Sequence, residues 1–103
     1  MDKYRVRDAA GASFRVFGGT ARSQAAAMTL AAGQVTGGPH NRHPASDQWL
    51  YVVSGSGETT VDGRTMALEA GDLLLIAAGE AHEIRAFDQG ALVTLNVYAP
   101  PEY

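Results

Sequence analysis

Glycine placement limits this chain more than any other feature. Glycines at Gly18-Gly19, Gly33, Gly37-Gly38, Gly55, Gly57, Gly63, Gly71, Gly79 and Gly90 leave only short segments between them, too short for long helices and well suited to strands. The segments SFRVF (13–17), QWLYVV (48–53), GETTVDG (57–63), TMALE (65–69), DLLLIA (72–77), HEIRAF (82–87) and ALVTLNVYA (91–99) are rich in alternating or β-branched residues. Regular short strands between turn signals predict an antiparallel sandwich or barrel. The sharpest local signal is VDGR (61–64), because Asp-Gly suits the two positive φ values of a type I′ hairpin turn. The alanine-rich stretch 21–33 has the composition of a helix. It also alternates Ala26, Met28 and Leu30 against Ala25, Ala27 and Thr29, and an all-β neighbourhood offers it a sheet to join, so it is read as a strand.

At 103 residues the chain is long enough for one core, and it is read as a single domain over 1–103. A formal charge of −3 with eight scattered cationic residues provides no basic footprint, so no nucleic-acid partner is expected. Cysteine is absent, which removes disulfides and thiolate chemistry. The sequence contains no signal-peptide pattern and no apolar run of membrane-spanning length, so the expected location is cytoplasmic with no membrane partner. No phosphate loop, nucleophile elbow or dinucleotide fingerprint occurs. The GSG of 55–57 leads into a strand rather than a helix.

The polar residues that invite a chemical reading are three histidines. His40 and His43 precede the strand at 48–53, and His82 opens the strand at 82–87. Residues two apart share a face of a strand, and a neighbouring antiparallel strand can add ligands from across. His43 and Gln48 can meet in this way, with His82 closing the site. Arg85 and Glu83 fall off the His82 face and are expected in solvent. Trp49 and Tyr51 read as packing or dimer-surface aromatics, and Met28, Met66 and the apolar residues of 72–76 as core.

With these residues in view, the sequence resembles a small single-domain cupin, a double-stranded β-helix (jelly-roll) barrel. The family's first motif runs glycine, five residues, His-x-His, three or four residues, glutamate, six residues, glycine; Gln48 through Gly55 matches its end, and YVVSGSGETTVDG (51–63) has the family's character. Its second motif runs glycine, five residues, proline, x, glycine, two residues, histidine, three residues, asparagine. Gly71, Gly79 and His82 match it, with Ala77 at the proline and Ala86 at the asparagine.

The resemblance implies a divalent metal ion (Fe, Mn, Ni or Zn) held by His40, His43, Gln48 and His82. Two departures matter. Counting back from Gln48, His43 takes the second histidine position and Asn41 the first, with His40 one residue early; a bulge would bring His40 in, whereas a regular strand would turn Asn41 inward. Gln48 stands at the acidic position, and its neutral amide leaves a bound dication with its full charge, favouring Lewis acidity and anionic ligands. Asp47 is expected on the opposite face. Two function classes follow: a metalloenzyme of dioxygenase, lyase or isomerase type acting on a small oxygenated substrate, and a non-catalytic small-molecule-binding barrel. Tyr98 and Glu58 are the acid–base candidates. The resemblance also implies a homodimer, since small cupins commonly pair sheets.

Overall fold

The computed structural model describes residues 1–38 and 42–103. After a single 3-10 turn at Val6–Ala9 come nine strands: β1 Phe14–Gly19, β2 Gln24–Leu30, β3 Val35–Gly37, β4 Asp47–Ser54, β5 Ser56–Val61, β6 Arg64–Glu69, β7 Leu73–Ile76, β8 His82–Ala86 and β9 Leu92–Ala99. They form two sheets, one ordered β1-β2-β9-β4-β7 and the other β3-β8-β5-β6, and every pairing is antiparallel. The expected all-β jelly roll is present. The alanine-rich stretch is indeed a strand, pairing β1 on one side and β9 on the other. The expected hairpin joins β5 to β6, with Asp62 at φ 46° and Gly63 at φ 81°, the left-handed pair a type I′ turn needs. Strand β3, three residues long, is too short to show alternation and was not expected.

Glycines act where the chain turns between sheets and where neighbouring strands lie close. Gly55 separates β4 from β5 at φ 84°, so the chain crosses from one sheet to the other within a single residue. At Gly57 a Cβ would run into the carbonyl oxygen of Arg85, so only glycine permits β5 to lie this close to β8.

Alternation decides what faces inward. In β4 the order of burial places Gln48, Leu50 and Val52 inside and Trp49, Tyr51 and Val53 outside; in β9, Leu92, Thr94, Asn96 and Tyr98 are inside. The register sets Gln48 opposite Tyr98, Leu50 opposite Asn96 and Val52 opposite Thr94. The barrel interior therefore has an apolar end, built from Leu30, Val52, Leu68, Ile84, Ala86 and Leu92, and a polar end towards Gln48 and Tyr98. Burial at the apolar end drives folding at roughly 25 cal/mol per Å² of apolar surface.

Part of the expected core lies outside it. Met28 is buried, but Met66, Leu73 and Leu75 are exposed at 44%, 62% and 46%. Strands β6 and β7 are the edges of their sheets. In β7 alternation sends Leu73 and Leu75 to the outer face while Ile76 turns inward, whereas Met66 shares the face of buried Leu68 and is exposed because β6 has no neighbouring strand on its far side. An unbroken apolar run such as LLLI hides this alternation, because it reads the same in either register.

Candidate functional site

The polar end of the barrel is assembled from both sheets and from the segment after β9. His43 lies in the approach to β4, where its carbonyl accepts the Gly79 N–H at 2.9 Å. Ser46 donates its hydroxyl to the Pro100 carbonyl at 2.7 Å. Asp47 faces away, as the strand period requires, and its Oδ1 accepts the Ala78 N–H at 2.9 Å. His82 opens β8; Asp62 of the hairpin turn holds the preceding residue by accepting the Ala81 N–H on Oδ1 at 3.0 Å. The result is that His43 and His82, 39 positions apart in sequence, meet with ring centroids 4.9 Å apart and planes tilted by 45°. Both are buried, at 8% and 5% exposure.

Gln48 lies in the same wall and is 3% exposed. Its Nε2 donates to Asn96 Oδ1 at 3.1 Å, and Asn96 Nδ2 in turn donates to Thr94 Oγ1 at 3.0 Å. Since Asn96 Oδ1 can only accept, the amide donor of Gln48 must face it, which turns Gln48 Oε1 away from Asn96 Oδ1. That oxygen is buried and has no hydrogen-bond partner among the described residues. Leaving a buried acceptor unmatched costs about 1–3 kcal/mol, which a cation or donor in the cavity would recover.

Around these groups is a small cavity of about 80 Å³, with His43, Gln48, His82, Tyr98 and Tyr103 on its polar side and Met28 and Ile84 on its apolar side. The Tyr98 ring meets His43 edge-on at 5.5 Å and Tyr103 at 5.2 Å. Burial, reinforced by the hydrogen-bonded Tyr103, pushes the Tyr98 phenol far above the ordinary tyrosine range; burial also raises Tyr103. Both remain protonated donors at neutral pH. Burial lowers the pKa of His82, opposed by the Glu80 carbonyl near its Nδ1 and aided by neighbouring His43. A neutral imidazole is the form that binds metals.

The sequence-derived set is thus partly assembled. His43, Gln48 and His82 converge on one cavity. His40 and its competitor Asn41 lie outside the described residues. Among the described residues no three His, Cys, Asp or Glu side chains come together as metal ligands, and the set present is two imidazoles and a neutral amide. Of the acid–base candidates, Tyr98 lines the cavity, whereas Glu58 is half-exposed and accepts both the Nε and Nη2 of Arg85, at 3.1 and 2.9 Å. Asn96, Glu102 and Tyr103 were not foreseen. The inward stripe Thr94, Asn96, Tyr98 is readable as polar residues at spacing two in an otherwise apolar strand; nothing local in sequence points to Glu102.

Two antiparallel sheets that close over an apolar core, with a polar cavity at one end, define a double-stranded β-helix barrel. The chain belongs to the cupin family: the cupin-domain model matches residues 26–98. Solved structures similar to it include a cupin protein from Bacteroides fragilis, 28% identical, covering 77% of this chain and 66% of that one with a TM-score of 0.67. KdgF from a Halomonas species is 24% identical, with 85% and 77% covered and a TM-score of 0.77. An uncharacterised protein with a double-stranded β-helix domain from Klebsiella pneumoniae is 21% identical, with 97% and 90% covered and a TM-score of 0.83. No match is found among curated proteins. No helix among the described residues is long and apolar enough to cross a membrane.

Proposed function

We propose that the chain is a metal-dependent cupin enzyme of dioxygenase, lyase or isomerase type, acting on a small oxygenated substrate at the cavity between His43, Gln48 and His82. The observation that carries this reading is Gln48 Oε1, a buried acceptor with no partner beside two buried imidazoles. That donor set fits a borderline divalent cation such as Fe, Mn, Ni or Zn, with residue 40 or 41 as a further ligand. When bound, the ion supplies Lewis-acid polarisation of a substrate oxygen.

The chain's own residues do the rest. Asn96 holds the Gln48 amide with its oxygen turned away from Asn96 Oδ1. Tyr98 and Tyr103, kept protonated by burial, are hydroxyl donors for a substrate carboxylate or carbonyl. Met28 and Ile84 exclude water from the opposite side. A neutral ligand set leaves the site cationic overall, which favours an anionic substrate.

A second reading, a non-catalytic binding barrel, is favoured by one observation: besides the histidines, the titratable side chains that line the cavity are two phenols, Tyr98 and Tyr103, both raised by burial and so pushed away from neutral pH. Metal analysis of the purified protein with substrate-class screening separates these readings. Metal at about one per chain, lost in His43→Ala and His82→Ala, supports the site, and turnover of an oxygenated acid supports the enzyme. Metal with no turnover favours the binding barrel, and no metal in the native protein overturns the metal reading. Gln48→Glu is expected to tighten metal binding and weaken any anionic ligand; unchanged affinity would remove Gln48 from the ligand set.

The reading includes a homodimer. The outer face of the β9-β4-β7 sheet brings Leu75, Trp49 and Val97 into one row and Leu73, Tyr51 and Leu95 into the next. These rows carry no charge, so a second copy with the same net charge of −3 can pair there without like charges meeting.

A further inference from the structure

The segment after β9 folds back over the cavity instead of leaving it. Ser46 holds the Pro100 carbonyl. Gln24 grips the main chain of Tyr103 from both sides, Nε2 donating to its carbonyl at 2.7 Å and Oε1 accepting its N–H at 2.9 Å. The Tyr103 ring packs on Phe14 at 4.8 Å and beside Tyr98. Between these anchors, Glu102 Oε1 stands 3.1 Å from His43 Nδ1, and its side chain is 24% exposed.

We propose that Glu102 is a positioning residue of the site: carried on this strap, it fixes the His43 ring with its proton on Nδ1 and thereby reserves Nε2 for the group bound in the cavity. The chemistry follows from the donor inventory. A carboxylate only accepts, so a hydrogen bond to it requires that Nδ1 carry the proton, and in a neutral imidazole the lone pair is then on Nε2. A carboxylate behind a ligating histidine sets ring orientation and raises ligand basicity, and its removal typically lowers metal affinity 10–100-fold. Strand β4 offers a neutral Gln48 at the cavity, so the strap returns to the site a negative charge one shell further out.

The role of Glu102 rests on the metal reading above, but its test does not need metal. In the metal-free protein, long-range ¹⁵N–¹H correlation spectra are expected to show His43 as the Nδ1–H tautomer. Glu102→Ala is expected to lose that preference, and Glu102→Gln, which keeps an accepting oxygen, to restore it. Gln24→Ala, which releases the strap without touching His43, is expected to shift the tautomer in the same direction as Glu102→Ala. Cobalt(II) titration, read by its visible absorption, is then expected to show a 10–100-fold weaker affinity in Glu102→Ala and near-native affinity in Glu102→Gln. An unchanged His43 tautomer in Glu102→Ala, or Glu102→Ala and Glu102→Gln behaving alike, overturns the proposal. Cobalt failing to bind the native protein, with the tautomer shifting as described, overturns the metal reading and leaves the positioning of His43 supported.

Discussion

Along β4, neighbouring residues show opposite departures from what burial alone selects. Gln48 is 3% exposed, while Trp49 and Tyr51 are 44% and 42% exposed. On the inner face a polar amide is kept out of water with one acceptor unmatched; on the outer face large apolar rings lie in solvent beside Leu73 and Leu75. Leu50 and Val52, further along the inner face, follow the ordinary rule, both fully buried. The difference teaches that a folded strand can have three separate duties. Its middle supplies the core, its buried polar end is the part proposed above to bind a ligand, and its exposed apolar face the part proposed to pair with a second copy.

The comparison can be sharpened first where the fold itself is at stake. Leu50→Ala is expected to destabilise the protein by about 2–5 kcal/mol through lost burial and a residual cavity, measured by urea unfolding. Leu73→Ala on the outer edge should change a monomer by less than about 0.5 kcal/mol. If the two were equal, the distinction between core and outer face would fail.

The outer face is tested next. Light scattering is expected to show a dimer, and Trp49→Glu combined with Leu73→Glu to raise the dimer dissociation constant on the order of 100-fold, about 2.7 kcal/mol, without changing the fold seen by circular dichroism. A monomeric native protein at micromolar concentration would leave the exposed aromatics without a role in pairing.

At the inner end the expected effect is smaller and changes sign with the ligand. In metal-free protein, Gln48→Leu removes the orphaned acceptor but strands Asn96 Oδ1, so stability should change by no more than about 1–3 kcal/mol. Added divalent metal should raise the melting temperature of the native protein and not that of Gln48→Leu.

The smallest effect is on pH dependence. His82 is held below its ordinary value of 6.5, chiefly by burial. The unfolded chain therefore takes up a proton that the native state resists. Its contribution to stability is full above about pH 6.5 and falls as the pH drops below it, by at most about 1.4 kcal/mol per pH unit for one proton. Urea unfolding of metal-free protein between about pH 7 and about pH 5 should show this slope reduced in His82→Asn.

Much of this architecture is written locally. The Asp62-Gly63 turn, the inward alternation of β4 and the placement of Asp47 on the outside depend on backbone geometry with a period of two, which operates over a few residues. His43, Gln48 and His82 were legible as one set through the spacing of the cupin motifs that the sequence resembles, with His43 and Gln48 brought together by the turn at 44–46. Leu73 and Leu75 were misread because an apolar residue does not reveal whether it covers a core or an outer face, and Met66 because its exposure depends on β6 ending up at a sheet edge.

What only the tertiary structure decided are contacts between segments far apart in the chain. Glu102 meets His43, and Gln24 grips Tyr103, because β9 runs between β2 and β4 and delivers the following residues to the mouth of the cavity. No spacing rule anticipates that encounter. The sequence alone determined most of the strands and the turn between β5 and β6, since those follow from local sterics and alternation, while His43, Gln48 and His82 were proposed from the resemblance to the cupin motifs. Which carboxylate stands behind His43, and which acceptor is left buried without a partner, was decided by packing, because both depend on where the sheets place distant side chains in space.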